Sequence, residues 1–188
     1  MQHTSQKIRK TAGGKVSLAA TKSSQKKPKA LVARVIAKKI GRKIAVELSC
    51  KAAYLATPTE RIEAIRHGLP AALFTQTVKD MDTRNENLSA ILRLPRATIG
   101  RKLQENGLLS SDMSERLLGL RKLIGQVEVM VQQSGVPEGF SAAKWVAGWL
   151  EEPSPALGGT RPADFMDTVE GQELVSRVVA RMQSGAYS

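Results

Sequence analysis

The chain has 188 residues and a mass of 20.4 kDa, with 29 Lys+Arg against 17 Asp+Glu and a formal net charge of +12. At 41% hydrophobic residues it can bury a modest core, which argues against wholesale disorder, and its one cysteine excludes an internal disulfide framework. With only His3 and His67 beside Cys50, a Cys/His zinc site is not expected, and the longest apolar run, 52–56, is far too short to cross a bilayer.

The charge is unevenly spread. Residues 1–55 carry fourteen Lys/Arg and one acid, Glu47, whereas residues 56–188 carry fifteen basic and sixteen acidic side chains. The whole excess therefore lies in a basic N-terminal arm. Residues 1–29 are rich in Lys, Ser, Thr, Gln and Gly and predict no stable structure in isolation. They lack the apolar h-region of a signal peptide. Val32, Ile36, Ile40, Ile44 and Leu48 recur at every fourth position and suggest a helix, although Lys38, Lys39, Arg42 and Lys43 intrude and Gly41 weakens it. Such an arm can lie along phosphates without reading sequence, serve as a solubilising tail, or act as an organellar transit peptide. A basic chain without an enzyme-like inventory of side chains favours nucleic acid.

After residue 56 no period-2 pattern appears, and the expectation is an all-α body. Thr57-Pro58-Thr59-Glu60 offers a cap, a proline in the first turn and an early acid ahead of Ile62 and Ile65. Gly68 ends that helix, and Pro70 opens another that carries Leu73, Val78 and Met81. Asn87 is placed to cap a short helix over 88–92, and Pro95 to start a second that runs to Gly107. Small Ala90 suits the close approach of two helices, while Leu94 and Ile99 would hold the pair together. This is the layout of a helix-turn-helix, whose second helix would expose Arg96, Thr98, Arg101 and Lys102 to base edges and phosphates. A plain pair of core helices is the alternative. Arg93 stands where the turn often has Gly, so the turn either avoids the left-handed region or carries strain.

A long helix follows from about Ser110 to Gln133, capped by Asp112-x-x-Glu115 or the neighbouring serines and ended by Gly135 and Pro137. Met113, Leu117, Leu120, Ile124, Val127 and Val131 form a stripe that fits either a dimer seam or the spine of an intrachain bundle. Five of the seven aromatics lie beyond Gly139, at Phe140, Trp145, Trp149, Phe165 and Tyr187. Phe140, Ser141 and Trp145 have the spacing of a hydrophobic staple around a Ser cap. Trp145 and Trp149 share a helix face, for core burial or for anchoring a partner. The loop 155–162 is a weak anion cradle at best, because the Gly-Lys-Ser/Thr ending of a phosphate loop is missing. The last helix begins near Thr168, with Asp167-x-x-Glu170 as a capping box, buries Leu174, Val175, Val178, Val179 and Met182, and stops at Gly185.

Several of these pieces together resemble the Xre/MbcA/ParS-type antitoxins of bacterial toxin–antitoxin pairs. The resemblance rests on Pro155-Ala156-Leu157-Gly158-Gly159-x-Arg161-Pro162, Thr168-x-Glu170-Gly171 and the ending Gly185-Ala186-Tyr187-Ser188 behind a Trp-containing helix. Upstream, Arg61-Ile62-Glu63-x-Ile65-Arg66-x-Gly68-Leu69-Pro70 and Leu108-Leu109-Ser110 with Ser114-Glu115-Arg116-Leu117 resemble the segments around the family's helix-turn-helix. The similarity covers about 58–188 and departs from the family at Arg93.

The resemblance, outside which the basic arm over 1–55 lies, implies an Xre-like helix-turn-helix domain over 56–136 and a toxin-binding domain over 137–188. It implies repression of the protein's own operon and inhibition of a RES-domain toxin that destroys NAD. Arg177, Arg181, Tyr187 and Ser188 would then touch the toxin near its active-site entrance, with Gly158, Gly159, Arg161 and Pro162 shaping the supporting loop. A homodimer on operator DNA, a cytoplasmic location, and no cofactor, metal, membrane or catalytic role are expected. The alternative is a standalone helix-turn-helix regulator or nucleoid-type protein whose C-terminal module serves dimerisation. An enzyme is a third class, for which a reactive Cys50 beside Lys51 is the one candidate group.

Overall fold

A computed structural model of the protein describes residues 49–135 and 139–183. The described residues are all-α: α1 (Cys50–Leu55), α2 (Pro58–His67), α3 (Ala72–Asp80), α4 (Asn85–Ile91), α5 (Arg96–Gln104), α6 (Ser111–Ser134), α7 (Ala142–Glu151) and α8 (Val169–Gln183). Two 3-10 segments, Pro155–Leu157 and Pro162–Phe165, lie between α7 and α8. An isolated antiparallel bridge joins Pro70 to Leu108.

The long helix α6 is the axis on which α1, α2, α7 and α8 pack. Its N-terminus is capped by the Ser110 hydroxyl, which accepts from the Met113 amide at 3.4 Å. Met113, Leu117, Leu120, Ile124 and Val127 are buried against the chain's own helices. From Met113 to Val127 the stripe is thus an intrachain spine, too buried to be a dimer seam, while Val131 at its end is partly buried. The core is continuous from Leu88 of α4 and Leu92 just beyond it, through α6, to Val146, Leu150, Val175 and Val179 of α7 and α8.

Residues 50–55, expected at the end of the arm, belong to this packed body. Ser49 caps α1, and Cys50 and Ala53 are buried. The contact demands glycine on α6, because a Cβ at Gly125 would fall 1.9 Å from the Cys50 carbonyl oxygen. The apolar row from Val32 to Leu48, Pro137, Gly185, Tyr187 and Ser188 lie outside the described residues.

At the start of α2, the Thr57 hydroxyl accepts from the Glu60 amide, and the Glu60 carboxylate accepts from the Thr57 amide at 2.8 Å. This reciprocal pair satisfies two amides that the helix leaves unpartnered. Three other helices end alike. After α3, α4 and α5, one residue turns into the left-handed region, and the next amide reaches five residues back: Thr83 to Val78, Leu94 to Ser89 and Gly107 to Lys102, at 2.8–3.1 Å. The left-handed residues are Asp82 (φ 53°), Arg93 (φ 45°) and Asn106 (φ 46°). Asp and Asn tolerate that conformation; arginine has no such excuse.

Some local expectations are corrected. Asn87 lies inside α4 rather than at its cap, because the helix starts at Asn85 with no capping side chain. Ala90 is exposed, and the buried small residue of α4 is Ser89. Asp167 does not cap α8. Thr168 does, its hydroxyl accepting from the Gly171 amide at 3.1 Å.

Candidate functional site

The pair α4–α5 consists of two short helices joined by the turn at 92–95, the layout of a helix-turn-helix. Leu88, Leu92, Leu94 and Ile99 bury its inner side. Arg96 and Arg101 stand on the exposed side of α5 with Ala97, Gly100 and Gln104. Thr98 and Lys102 are partly buried at the flanks. The Lys102 stem runs beside the turn that follows α5, its Cδ 3.3 Å from where a Gly107 Cβ would sit. The open face therefore presents two of the four residues predicted to meet DNA, with the other two beside it.

The turn that sets the angle of α5 is held from outside. Arg116 of α6 donates through Nη1 to the carbonyls of Leu92 (3.2 Å) and Arg93 (3.0 Å). Asp112 fixes the same guanidinium through Nη2 at 2.6 Å. The Arg93 side chain forms an ion pair with Asp167, Nε to Oδ2 at 3.1 Å. A cleft of about 410 Å³ lies at this junction, lined by Asn87, Arg93, Glu151, Arg161, Asp164 and Asp167 among others.

In the C-terminal module, Ser141 caps α7, and Trp145 and Trp149 stack with ring centroids 5.7 Å apart and planes 8° from parallel. Trp145 remains exposed, while Trp149 packs against the core. The loop 155–162 closes tightly. Gly158 (φ 65°) and Gly159 (φ 81°) are both left-handed, and the Ser154 amide donates to the Thr160 carbonyl at 3.1 Å. Arg161 ion-pairs with Glu151 (2.9 Å) and Asp164 (2.8 Å), so it staples the loop to the end of α7 instead of cradling an anion. Pro162 is buried behind it.

On α8, Arg177 and Arg181 are exposed one turn apart, and Arg177 lies 4.0 Å from Glu173. Gly171 and Gln172 seat the helix. A Cβ on Gly171 would fall 2.0 Å from the Phe165 carbonyl oxygen, and the Gln172 amide group donates to the carbonyls of Arg116 and Met166 at 3.1 and 2.8 Å. The structure thus gathers Gly158, Gly159, Arg161 and Pro162 into one loop and puts Arg177 and Arg181 together on the last helix. Sequence reasoning did not single out Arg116, Asp167 and Gln172 as links between the two halves. The one available signal was an arginine in place of the turn glycine.

Cys50 is buried in the contact between α1 and α6. Burial pushes its thiol up to about 11, despite the nearby Arg121 guanidinium.

Two family models match the chain: the antitoxin Xre-like helix-turn-helix domain over residues 60–122, and the antitoxin Xre/MbcA/ParS C-terminal toxin-binding domain over residues 140–185. A protein of Sphingobium sp. (strain YBL2) named "Prs ADP-ribosylating antitoxin" is 44% identical over 138 residues, which cover 73% of this chain and 87% of that protein. The chain belongs to the Xre/MbcA/ParS antitoxin family.

The antitoxin's DNA-binding domain thus runs from α2 into α6, and its toxin-binding domain comprises α7, the stapled loop and α8. Both use α6 as a floor. Among the described residues no helix is long and apolar enough to cross a membrane.

Proposed function

We propose that this antitoxin neutralises a RES-domain toxin that consumes NAD, by covering the entrance to the toxin's active site, and that it represses its own operon as a homodimer. The observation that carries the toxin half is the last helix of the toxin-binding domain. Arg177 and Arg181 are exposed one turn apart on α8, and the sequence Gly185-Ala186-Tyr187-Ser188 follows α8 after Ser184. Tyr187 suits a plug, since an aromatic side chain has few torsions to freeze. Gly158, Gly159, Arg161 and Pro162 would shape a second toxin-contacting loop, which leads through Phe165 to the start of α8 at Gly171.

The relative's name ties it to ADP-ribosylation. Transfer of ADP-ribose and destruction of NAD both begin by breaking the nicotinamide–ribose bond, so occlusion of a dinucleotide cleft stops either. For the DNA half, Arg96 and Arg101 read bases from the open face of α5, Thr98 and Lys102 hold phosphates beside them, and the arm adds nonspecific affinity. Two-fold pairing matches the symmetry of half-sites in an operator. The antitoxin acts in the cytoplasm and by binding, without catalysis of its own.

The test is deletion of residues 185–188 and co-expression with the toxin encoded beside it. Growth arrest with loss of cellular NAD is expected. Full rescue of growth by the shortened chain would overturn the plugging role.

A further inference from the structure

The turn between α4 and α5 places an arginine in a conformation that favours glycine, which leaves the backbone strained there. Nothing in the turn itself compensates. The Arg93 amide and the Leu94 amide reach back to Ala90 and Ser89 as they would with glycine there. What glycine cannot supply is a side chain, and this one goes to Asp167, just ahead of the toxin-binding domain's last helix.

The partner is not a chance surface acid. The Asp167 side chain is 15% exposed, against 74% for Arg93. Thr168 caps α8 beside it, and Gln172 bonds one turn on to the Arg116 backbone. The Arg116 guanidinium in turn holds the carbonyls of Leu92 and Arg93. The turn is therefore gripped twice: on its carbonyls by α6, and on its side chain by the C-terminal domain.

We propose that Asp167 and Arg116 are positioning residues for DNA reading, which act on α5 through Arg93. Neither side chain lies on the open face of α5, and neither needs to touch DNA. By fixing the left-handed turn they set the angle at which Arg96 and Arg101 meet base edges, where small displacements decide whether a bidentate contact forms. The toxin-binding domain is thereby part of the DNA-reading apparatus. The inference rests on the helix-turn-helix and is independent of which toxin is held.

The test uses the full chain. Wild-type protein selects a duplex from a random pool, and affinities are then measured for that duplex and for a scrambled one of equal length. Asp167→Asn should weaken binding to the selected duplex about fivefold, the upper range for one exposed ion pair. Binding to the scrambled duplex should hold or rise. Removal of an acid favours any DNA by charge alone, so a loss confined to the selected duplex has a sign that bulk electrostatics cannot produce. Asp167→Glu should restore selectivity. Arg93→Gly relieves the strain, and in that background Asp167→Asn should have no further effect. Arg116→Met should repeat the loss of selectivity. If that variant does not fold, the Asp167 and Arg93 cycle decides alone.

Equal losses on both duplexes would overturn the proposal. So would unchanged selectivity in Asp167→Asn, an undiminished effect in the Arg93→Gly background, or a wild-type chain that selects no sequence. A selected sequence absent from the region upstream of the protein's own gene would bear on the autorepressor reading alone.

Discussion

Cys50 shows how burial outweighs a charged neighbour. Arg121 lies near and favours a thiolate, yet loss of water dominates and, with the Glu128 and Asp80 carboxylates adding to it, lifts the thiol from 9.0 to about 11. Two outcomes follow. Iodoacetamide at pH 8 should leave the native protein unlabelled and react only once denaturant opens the contact between α1 and α6. In the unfolded chain the thiol loses its proton first, so this residue's contribution to stability is complete below pH 9 and declines as pH rises towards 11. Denaturant melts at pH 7.5 and pH 10 should show that decline in wild type and less of it in Cys50→Ala. Across the same contact, Gly125→Ala drives a methyl into backbone rather than into a side chain that can move aside, and should cost about 1–3 kcal/mol, read as a lowered Tm.

Helix ends decide how much of the architecture can be read without coordinates. Thr57, Ser110 and Ser141 cap their helices as their sequence contexts foretell, because a cap involves residues at most three apart. Asp82 and Asn106 escape a reading from sequence because the left-handed C-cap is usually recognised by its glycine, whereas Arg93 stands out as the residue in place of the turn glycine. Asp167 and Thr168 were confused because two adjacent residues can each cap, and the choice fell to a distant partner: Arg93 takes the carboxylate and leaves the hydroxyl to the helix. α1 could not be placed from sequence, since its reason for existing is a flat patch on α6 at Gly125.

The α2 cap also carries a pH signature. Bonds from the Thr57 amide and hydroxyl hold the Glu60 carboxyl below its usual value. Its contribution is therefore complete above the ordinary carboxylate range and fades as pH falls through the lowered value. Thr57→Ala should cost about 1 kcal/mol at neutral pH. The penalty should shrink in acid, as urea melts at pH 7 and pH 3 would show.

At the scale of the whole molecule, the two domains were legible as motifs but their union was not. Pro155–Pro162 and the helix pair each announce themselves within a short stretch, whereas Arg93–Asp167 and Gln172–Arg116 join positions far apart in sequence. Charge is likewise partitioned, since the basic excess precedes residue 56. If the arm adds nonspecific affinity as proposed, removal of residues 1–29 should weaken binding to every duplex alike and flatten its dependence on salt, because only phosphate contacts would be lost. Titrations at several salt concentrations will measure both.

The stacked indoles give this architecture its own optical label. The chain has two tryptophans, Trp145 and Trp149, and both lie on α7. All tryptophan fluorescence therefore originates in the toxin-binding domain, and near-parallel rings 5.7 Å apart should produce an exciton couplet in far-ultraviolet circular dichroism. Emission follows one domain while helical ellipticity follows both. Coincidence of the two melting curves would show that the antitoxin unfolds as one cooperative unit.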